Sequence, residues 1–187
     1  MVDVILRPFE SSDRAAYVKL YEEAFPLSER KPFDYMLTPP AGDRYRLFTV
    51  STPTVAVAGL VILAYAKVAD EDFALLDYLA VSPEVRGQGI GHAILPLIRA
   101  YCHKRSTRLF LEIERPDDAA DNSLQRIRRK AFYLSCGLCE CGVAAKMYGT
   151  VMELLAYPTD VEGITLGVYQ KVVEACYPAD MGLPQGL

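Results

Sequence analysis

Between an apolar run and an apolar helical pattern stands Arg86-Gly87-Gln88-Gly89-Ile90-Gly91. A strand–turn–helix of this kind aims backbone N–H groups and a helix N-terminus at one spot, which suits a pyrophosphate. Glycine adds close backbone approach and φ values that other residues avoid. The spacing departs from two other phosphate motifs. A P-loop needs Gly-Lys-Ser/Thr where this chain has Gly91-His92-Ala93, and a dinucleotide fingerprint needs a final glycine at His92. Carboxylates form the second candidate group. Asp77 shares a strand face with Leu79 and Val81, and Glu112 shares one with Glu114 on a later strand. Burying carboxylates at alternate positions is costly unless they are paired. Each therefore reads either as a proton acceptor or as the ion-pair partner of a basic helix face. Glu114 falls near the C-terminal end of its strand, where a parallel sheet places ligands.

Tyr133 is the third candidate. Arg126, Arg129 and Lys130 lie one and two helical turns before it and share its face. Such a face favours phosphate groups and eases proton loss from the phenol. The alternative is a tyrosine packed at a helix end. Leu124, Ile127, Ala131 and Leu134 form a separate stripe, read as the core-facing one. Cys136, Cys139 and Cys141 cluster in sequence, but the spacing is not C-x-x-C and no histidine is near, so they read as small buried residues and no metal is expected. His92 and His103 have no partner pattern.

The elements that position these residues follow from periodicity and breakers. Residues 2–8 read as a strand. Ser11-Ser12-Asp13 offers N-cap chemistry for a helix through Phe25, which Pro26 stops. A second, weaker helix is expected over 28–37. Strands are expected over 44–51, 55–67 and 73–82, then a helix over 88–104 with Pro96 inside it. A strand over 108–114, a polar acidic loop over 117–122 and a helix over 123–136 closed by Gly137 follow. Residues 139–146 and 150–157 read as a closing antiparallel pair. Thr159-Asp160 caps a last helix through Cys176, and 178–187 reads as a loose tail.

The spacing Arg86-x-x-Gly89-x-Gly91, with Leu79-Ala80-Val81-x-Pro83 ahead of it and Phe132-Tyr133-x-x-x-Gly137 after it, resembles the acetyl-CoA signature of the GNAT superfamily of N-acetyltransferases. The element order matches that fold over residues 2–157. The resemblance implies an α/β fold: a mixed central sheet with helices on both faces and a splayed parallel strand pair, whose gap takes the pantetheine arm like an extra strand. It implies that Arg86, Gly87, Gln88, Gly89, Ile90 and Gly91 wrap the pyrophosphate. Leu79, Ala80 and Val81 would line the cofactor, with the Leu79 amide as oxyanion donor. Tyr133, at the family's spacing before Gly137, would protonate the departing thiolate. Asp77, Glu112 and Glu114 are the candidates for accepting the amine proton, directly or through water. Many relatives carry asparagine where Arg126 stands. Asn122 can substitute for that polar contact unless it only caps the helix, and Arg126 and Arg129 are assigned to the cofactor's phosphates.

Composition bounds the rest. The chain has 187 residues, 51% of them hydrophobic and 24% charged, which suits one domain with its own core. A net charge of −4 argues against nucleic acid, and no apolar stretch is long enough to span a bilayer. Five cysteines and no basic leader fit a reducing cytoplasm. These readings converge on a cytoplasmic N-acetyltransferase with acetyl-CoA as cosubstrate, no metal, and a primary amine as acceptor, a small molecule more readily than a protein. Residues 1–157 would be the catalytic domain and 158–187 a helical extension of it. The rivals are a non-catalytic acyl-CoA-binding sensor or scaffold, and a transferase for a protein N-terminus or lysine. The acceptor is left to residues 25–40 and the region from Tyr148 onward, and a homodimer is left open.

Overall fold

The computed structural model describes Val2 to Leu187, apart from Tyr148 and the side chain of Asp180. Met1, and Tyr148 at the start of the second acceptor segment, lie outside the described residues. The strands are β1 (Ile5–Pro8), β2 (Tyr45–Ser51), β3 (Gly59–Val68), β4 (Glu71–Val81), β5 (Thr107–Glu114), β6 (Cys139–Met147), β7 (Thr150–Ala156) and β8 (Gln185–Gly186). The α-helices are α1 (Arg14–Ala24), α2 (Ile90–His103), α3 (Ser123–Ser135) and α4 (Leu166–Cys176). The strands form one mixed sheet in the order β1-β2-β3-β4-β5-β7-β6-β8. Its parallel pair is β4 with β5, in register from Asp72↔Thr107 to Leu75↔Phe110, while β4 runs on to Val81 and β5 to Glu114.

Two compact units divide the chain. The first holds the residues up to Tyr65 with Leu76–Ser106, and the second holds Ala66–Leu75 with Thr107–Leu187. In the first, α2 buries Ile90, Ile94, Leu95, Ile98 and Cys102, and α1 buries Tyr17, Leu20 and Tyr21. Of the apolar positions that helical spacing predicts, Tyr17, Leu20, Tyr21, Ile90, Ile94 and Ile98 are buried, whereas Ala16 and Leu97 are exposed. In the second, α4 buries Tyr169, Val172, Val173 and Cys176, with the Tyr169 ring edge-on to Phe110 of β5.

Five local expectations need correction. No α-helix forms over 28–37; a 3-10 turn covers Phe33–Met36 instead. Pro32 biases Lys31 away from helical backbone, and the Lys31 N–H donates to the hydroxyls of Tyr21 and Tyr78 rather than to a helical carbonyl. The strand expected from residue 55 begins at Gly59, because residues 52–55 close a turn in which Val55 N–H meets the Thr52 hydroxyl at 3.1 Å. The last helix is capped by Thr165, whose hydroxyl accepts from Val168 N–H at 3.2 Å, not by Thr159-Asp160. The tail is not loose over its whole length: β8 pairs antiparallel with Ala145 and Lys146 of β6, and the Gln170 amide donates to Pro184 O at 2.8 Å. Finally, the apolar stripe of α3 faces outward. Leu124, Ile127 and Leu134 are exposed, and the helix buries no residue fully.

Candidate active site

The glycine turn lies in the first unit. β4 ends at Val81, a 3-10 turn covers Pro83–Val85, and α2 starts at Ile90. Gly87 has φ +77° and Gly89, the N-cap of α2, has φ +80°. Only glycine adopts that region without strain. A Cβ at Gly87 would meet nothing within 4 Å, and one at Gly89 only Val2 at 3.9 Å. The backbone therefore borders open space at the mouth of a helix N-terminus, which fits a pyrophosphate. Ala80 is buried, whereas Leu79 and Val81 are half-buried. Arg86 turns its Nε back onto Val81 O at 3.0 Å, which fixes the turn against the strand end.

Gly59 was not singled out from the sequence. A Cβ there would stand 2.7 Å from Ala80 O, so only glycine lets β3 lie this close to the end of β4. A glycine opening an apolar strand was the available signal.

Asp77 does not offer a free carboxylate. Lys31 Nζ meets both its oxygens, at 2.9 and 2.8 Å, and the two side chains are 2% and 3% exposed. The ammonium also sits 4.9 Å from the Tyr78 ring centroid. Tyr21 donates to Lys31 O at 3.1 Å and Tyr78 to Glu29 O at 2.7 Å. Burial pushes the Tyr21 phenol up to about 12 and Tyr78 higher still, so both are hydroxyl donors at any ordinary pH. This arrangement ties the segment after α1 to β4. Nothing in the spacing of Lys31 and Asp77 announced it, since they are 46 residues apart.

The second unit holds the other candidates. Glu114 accepts from Arg126 at 2.8 Å, from Arg129 at 3.5 Å and from the Asn122 amide at 3.2 Å, and Asn122 in turn accepts from Arg126 Nε at 2.7 Å. Asn122 is the N-cap position of α3, yet its side chain makes no capping bond. Lys130 reaches Glu140 at 2.8 Å and Glu153 at 2.9 Å. Burial alone would lower Lys130, but those two bonds outweigh it and hold the ammonium above its ordinary value. The cationic face of α3 is thus engaged with carboxylates of the sheet strands. Glu112 accepts a hydrogen bond from the Tyr177 hydroxyl at 3.4 Å. Tyr133 is half-buried, its ring 5.0 Å from that of Phe132. Burial pushes its phenol up to about 12, with Arg129 pulling the other way. The expected easing of proton loss is therefore outweighed.

All five cysteines carry free thiols. Cys139 Sγ contacts Ala156 O at 3.5 Å, and burial pushes Cys141 up to about 12. Among the described residues no cluster of three or more metal-ligating side chains exists, and no helix is long and apolar enough to cross a membrane.

Comparison with known proteins adds the family. No curated protein matches the chain. Among solved structures, spermidine N-acetyltransferase from Vibrio cholerae in complex with CoA and spermine superposes with a TM-score of 0.64 at 16% identity, covering 86% of this chain and 98% of that one. Arabidopsis thaliana Naa50, bound to a bisubstrate analogue of CoA and a peptide, gives 0.62 at 16%, covering 82% and 97%. The ribosomal-protein-S18-alanine N-acetyltransferase of Escherichia coli gives 0.55 at 23%, covering 83% and 94%. These likenesses establish the fold. The profile of the acetyltransferase (GNAT) family matches residues 14–137, most of the chain, with the glycine turn, β5 and α3 inside it. The chain belongs to the GNAT family of acetyl-CoA-dependent N-acetyltransferases.

Proposed function

We propose that the protein transfers the acetyl group of acetyl-CoA to a primary amine of a small molecule, by direct attack with both substrates bound together. The observation that carries this reading is the pair of positive-φ glycines at the β4–α2 junction, in a chain of this family. The N–H groups from Arg86 to Gly91 and the α2 N-terminus hold the pyrophosphate. Main-chain groups of Leu79, Ala80 and Val81 hold the pantetheine arm, with the Leu79 amide turned to the carbonyl oxygen.

Two proton movements are left to side chains. The amine must lose a proton as its nitrogen bonds the acetyl carbon, and the sulfur must gain one as the carbon–sulfur bond breaks. Tyr133 supplies the second. A phenol pushed up to about 12 stays protonated at neutral pH and is available as a donor. Of the three carboxylates, Asp77 is held by Lys31, and Glu114 by Arg126 and Arg129. The amine proton goes to one of these carboxylates or to Glu112, which accepts from the Tyr177 hydroxyl, directly or through water. Arg126, Arg129 and Asn122, read from the sequence as phosphate contacts, fit better as the cage around Glu114. Holding two substrates in one geometry accounts for much of the rate, with no covalent enzyme intermediate.

A panel of primary amines, with free-thiol release and product mass as readouts, tests the reading. An acetylated product is expected. Clear acetyl-CoA binding with turnover at the spontaneous rate across the panel would mean a binding module instead. Acetylation confined to peptide N-termini or lysines would move the acceptor to proteins.

A further inference from the structure

A buried ion pair is a poor source of stability. The loss of water around two charges offsets most of their attraction, and what the pair supplies is a fixed geometry. Lys31 and Asp77 form such a pair, with both side chains all but closed to water. Backbone contacts reinforce it. The Tyr78 hydroxyl donates to Glu29 O, the Lys31 N–H donates to the hydroxyls of Tyr21 and Tyr78, and the ammonium lies over the Tyr78 ring. Residues 29–31 thus grip β4 at Asp77 and Tyr78 through main chain and side chain together. The same segment is fastened again further on: the Phe33 ring packs 5.7 Å from that of Tyr17, and Met36 is buried. All of these residues belong to the first unit, as does the glycine turn. A strand rises about 3.3 Å per residue, so Leu79 follows Asp77 by about 7 Å along β4. The pair therefore fixes residues 29–31, and with them the segment 26–40, next to the amide assigned to the carbonyl oxygen.

We propose that Lys31 is a positioning residue for the acceptor: paired with Asp77, it holds segment 26–40 as a fixed wall beside Leu79, along which the amine approaches the acetyl carbon. This inference rests on the reading of the chain as a transferase with the Leu79 amide at the carbonyl oxygen. It sets Asp77 apart from the other two carboxylates. The charge of Asp77 holds Lys31, which leaves the amine proton to Glu112 or Glu114. A wall already held by an ion pair needs no ordering when the amine binds. Misplacing a bound reactant by about 1 Å is worth up to about 10²-fold in rate, so a loosened wall acts on the acceptor. The pyrophosphate, held by the main chain from Arg86 to Gly91, is not touched by it.

The test uses Lys31→Met, Asp77→Asn and the double variant in the full chain. Lys31→Met keeps an apolar stem and removes the ammonium. The double variant leaves no unpaired charge in the interior and serves where a single one does not fold. Hydrogen exchange of the ligand-free protein, read by mass spectrometry, should rise over residues 26–32 in Lys31→Met and in the double variant, with α2 as protected as in the parent. Unchanged exchange over 26–32, or an equal rise throughout the first unit, overturns the inference, and this readout needs no acceptor. With an acceptor in hand, Lys31→Met should lower kcat/KM for the amine about 10–10²-fold, with acetyl-CoA affinity by calorimetry unchanged. The double variant should be no worse than the single ones, because all three lose the same contact. A parallel loss of acetyl-CoA affinity means a general loss of structure and overturns the inference, as does full kcat/KM in Lys31→Met. Recovery of Asp77→Asn at high pH, where the amine is already neutral, would make Asp77 the proton acceptor and overturn it too. If no amine is ever turned over, the transferase reading fails, while hydrogen exchange still decides whether the pair holds the segment.

Discussion

At Tyr133 and Asp13 the environment has moved a titratable group in opposite directions, and each shift has a measurable consequence. Tyr133 is held protonated by burial, against the pull of Arg129. Tyr133→Phe should lower kcat about 10²–10⁴-fold, the usual worth of a general acid. Acetyl-CoA affinity by calorimetry should barely move, because the ring stays. Equal losses in rate and affinity would make Tyr133 a cofactor contact, and equal rates a packing residue. Asp13 lies on the opposite side of the ordinary range. Two hydrogen bonds from Arg7 at 2.7 Å, then one from Thr49 at 2.8 Å, outweigh the cost of burial and hold the carboxyl at about 2. A lowered folded-state value means stability that is present above the ordinary carboxylate range and lost as pH falls from about 4 towards 2. Asp13→Asn should cost about 2 kcal/mol at neutral pH and flatten the acid limb of the stability curve. Denaturant unfolding at pH 7 and pH 3 checks this; a parent and variant with parallel acid limbs would refute it.

At the scale of elements, α2 and α3 show that the same apolar periodicity can have two outcomes. Both helices carry an apolar stripe at helical spacing. In α2 it is buried, with Ile94 at 0% exposure. In α3 Leu124 is 69% exposed. The polar sides explain the difference. α3 carries Arg126, Arg129 and Lys130, and the strands beside it supply Glu114, Glu153 and Glu140. Turning the basic side inward pairs the shielded Glu114 and Glu153, whereas turning the leucines inward would leave those two without their counter-charges, which costs more than exposing leucines. Ile94→Ala should therefore cost about 2–5 kcal/mol by cavity formation, and Leu124→Ala less than about 0.5 kcal/mol. Chemical denaturation of the two variants separates the cases. A large loss at Leu124 would mean that its face is covered.

For the molecule as a whole, family and fold converge on a cofactor whose binding should register as stability. Acetyl-CoA at a hundredfold its Kd adds about 2.7 kcal/mol, which for a chain of this size raises Tm by roughly 5–10 °C. Gly89→Val should abolish that rise: it forces a branched side chain into a left-handed φ and places it in the open space beside the turn. A variant stabilised as strongly as its parent would place the pyrophosphate elsewhere. The separation between local and distant information also appears at this scale. Composition, the strand–turn–helix around Gly87 and Gly89, the apolar stripes of α1 and α2, and the helix closed by Gly137 were all legible from the sequence. Each depends on backbone geometry or periodicity within a dozen residues, and a positive φ is a demand that neighbouring residues reveal. The same local signals identified the family. The partners of the charges were decided only by the tertiary structure. Lys31 closes on Asp77, Arg126 on Glu114, Lys130 on Glu140 and Glu153, and Tyr177 on Glu112, across separations no spacing rule connects. The reason is physical: a buried charge must find a counter-charge or a hydrogen bond. Which one it finds depends on where the sheet brings distant strands and helices together, so three carboxylates of equal standing in the sequence hold three different environments in the fold.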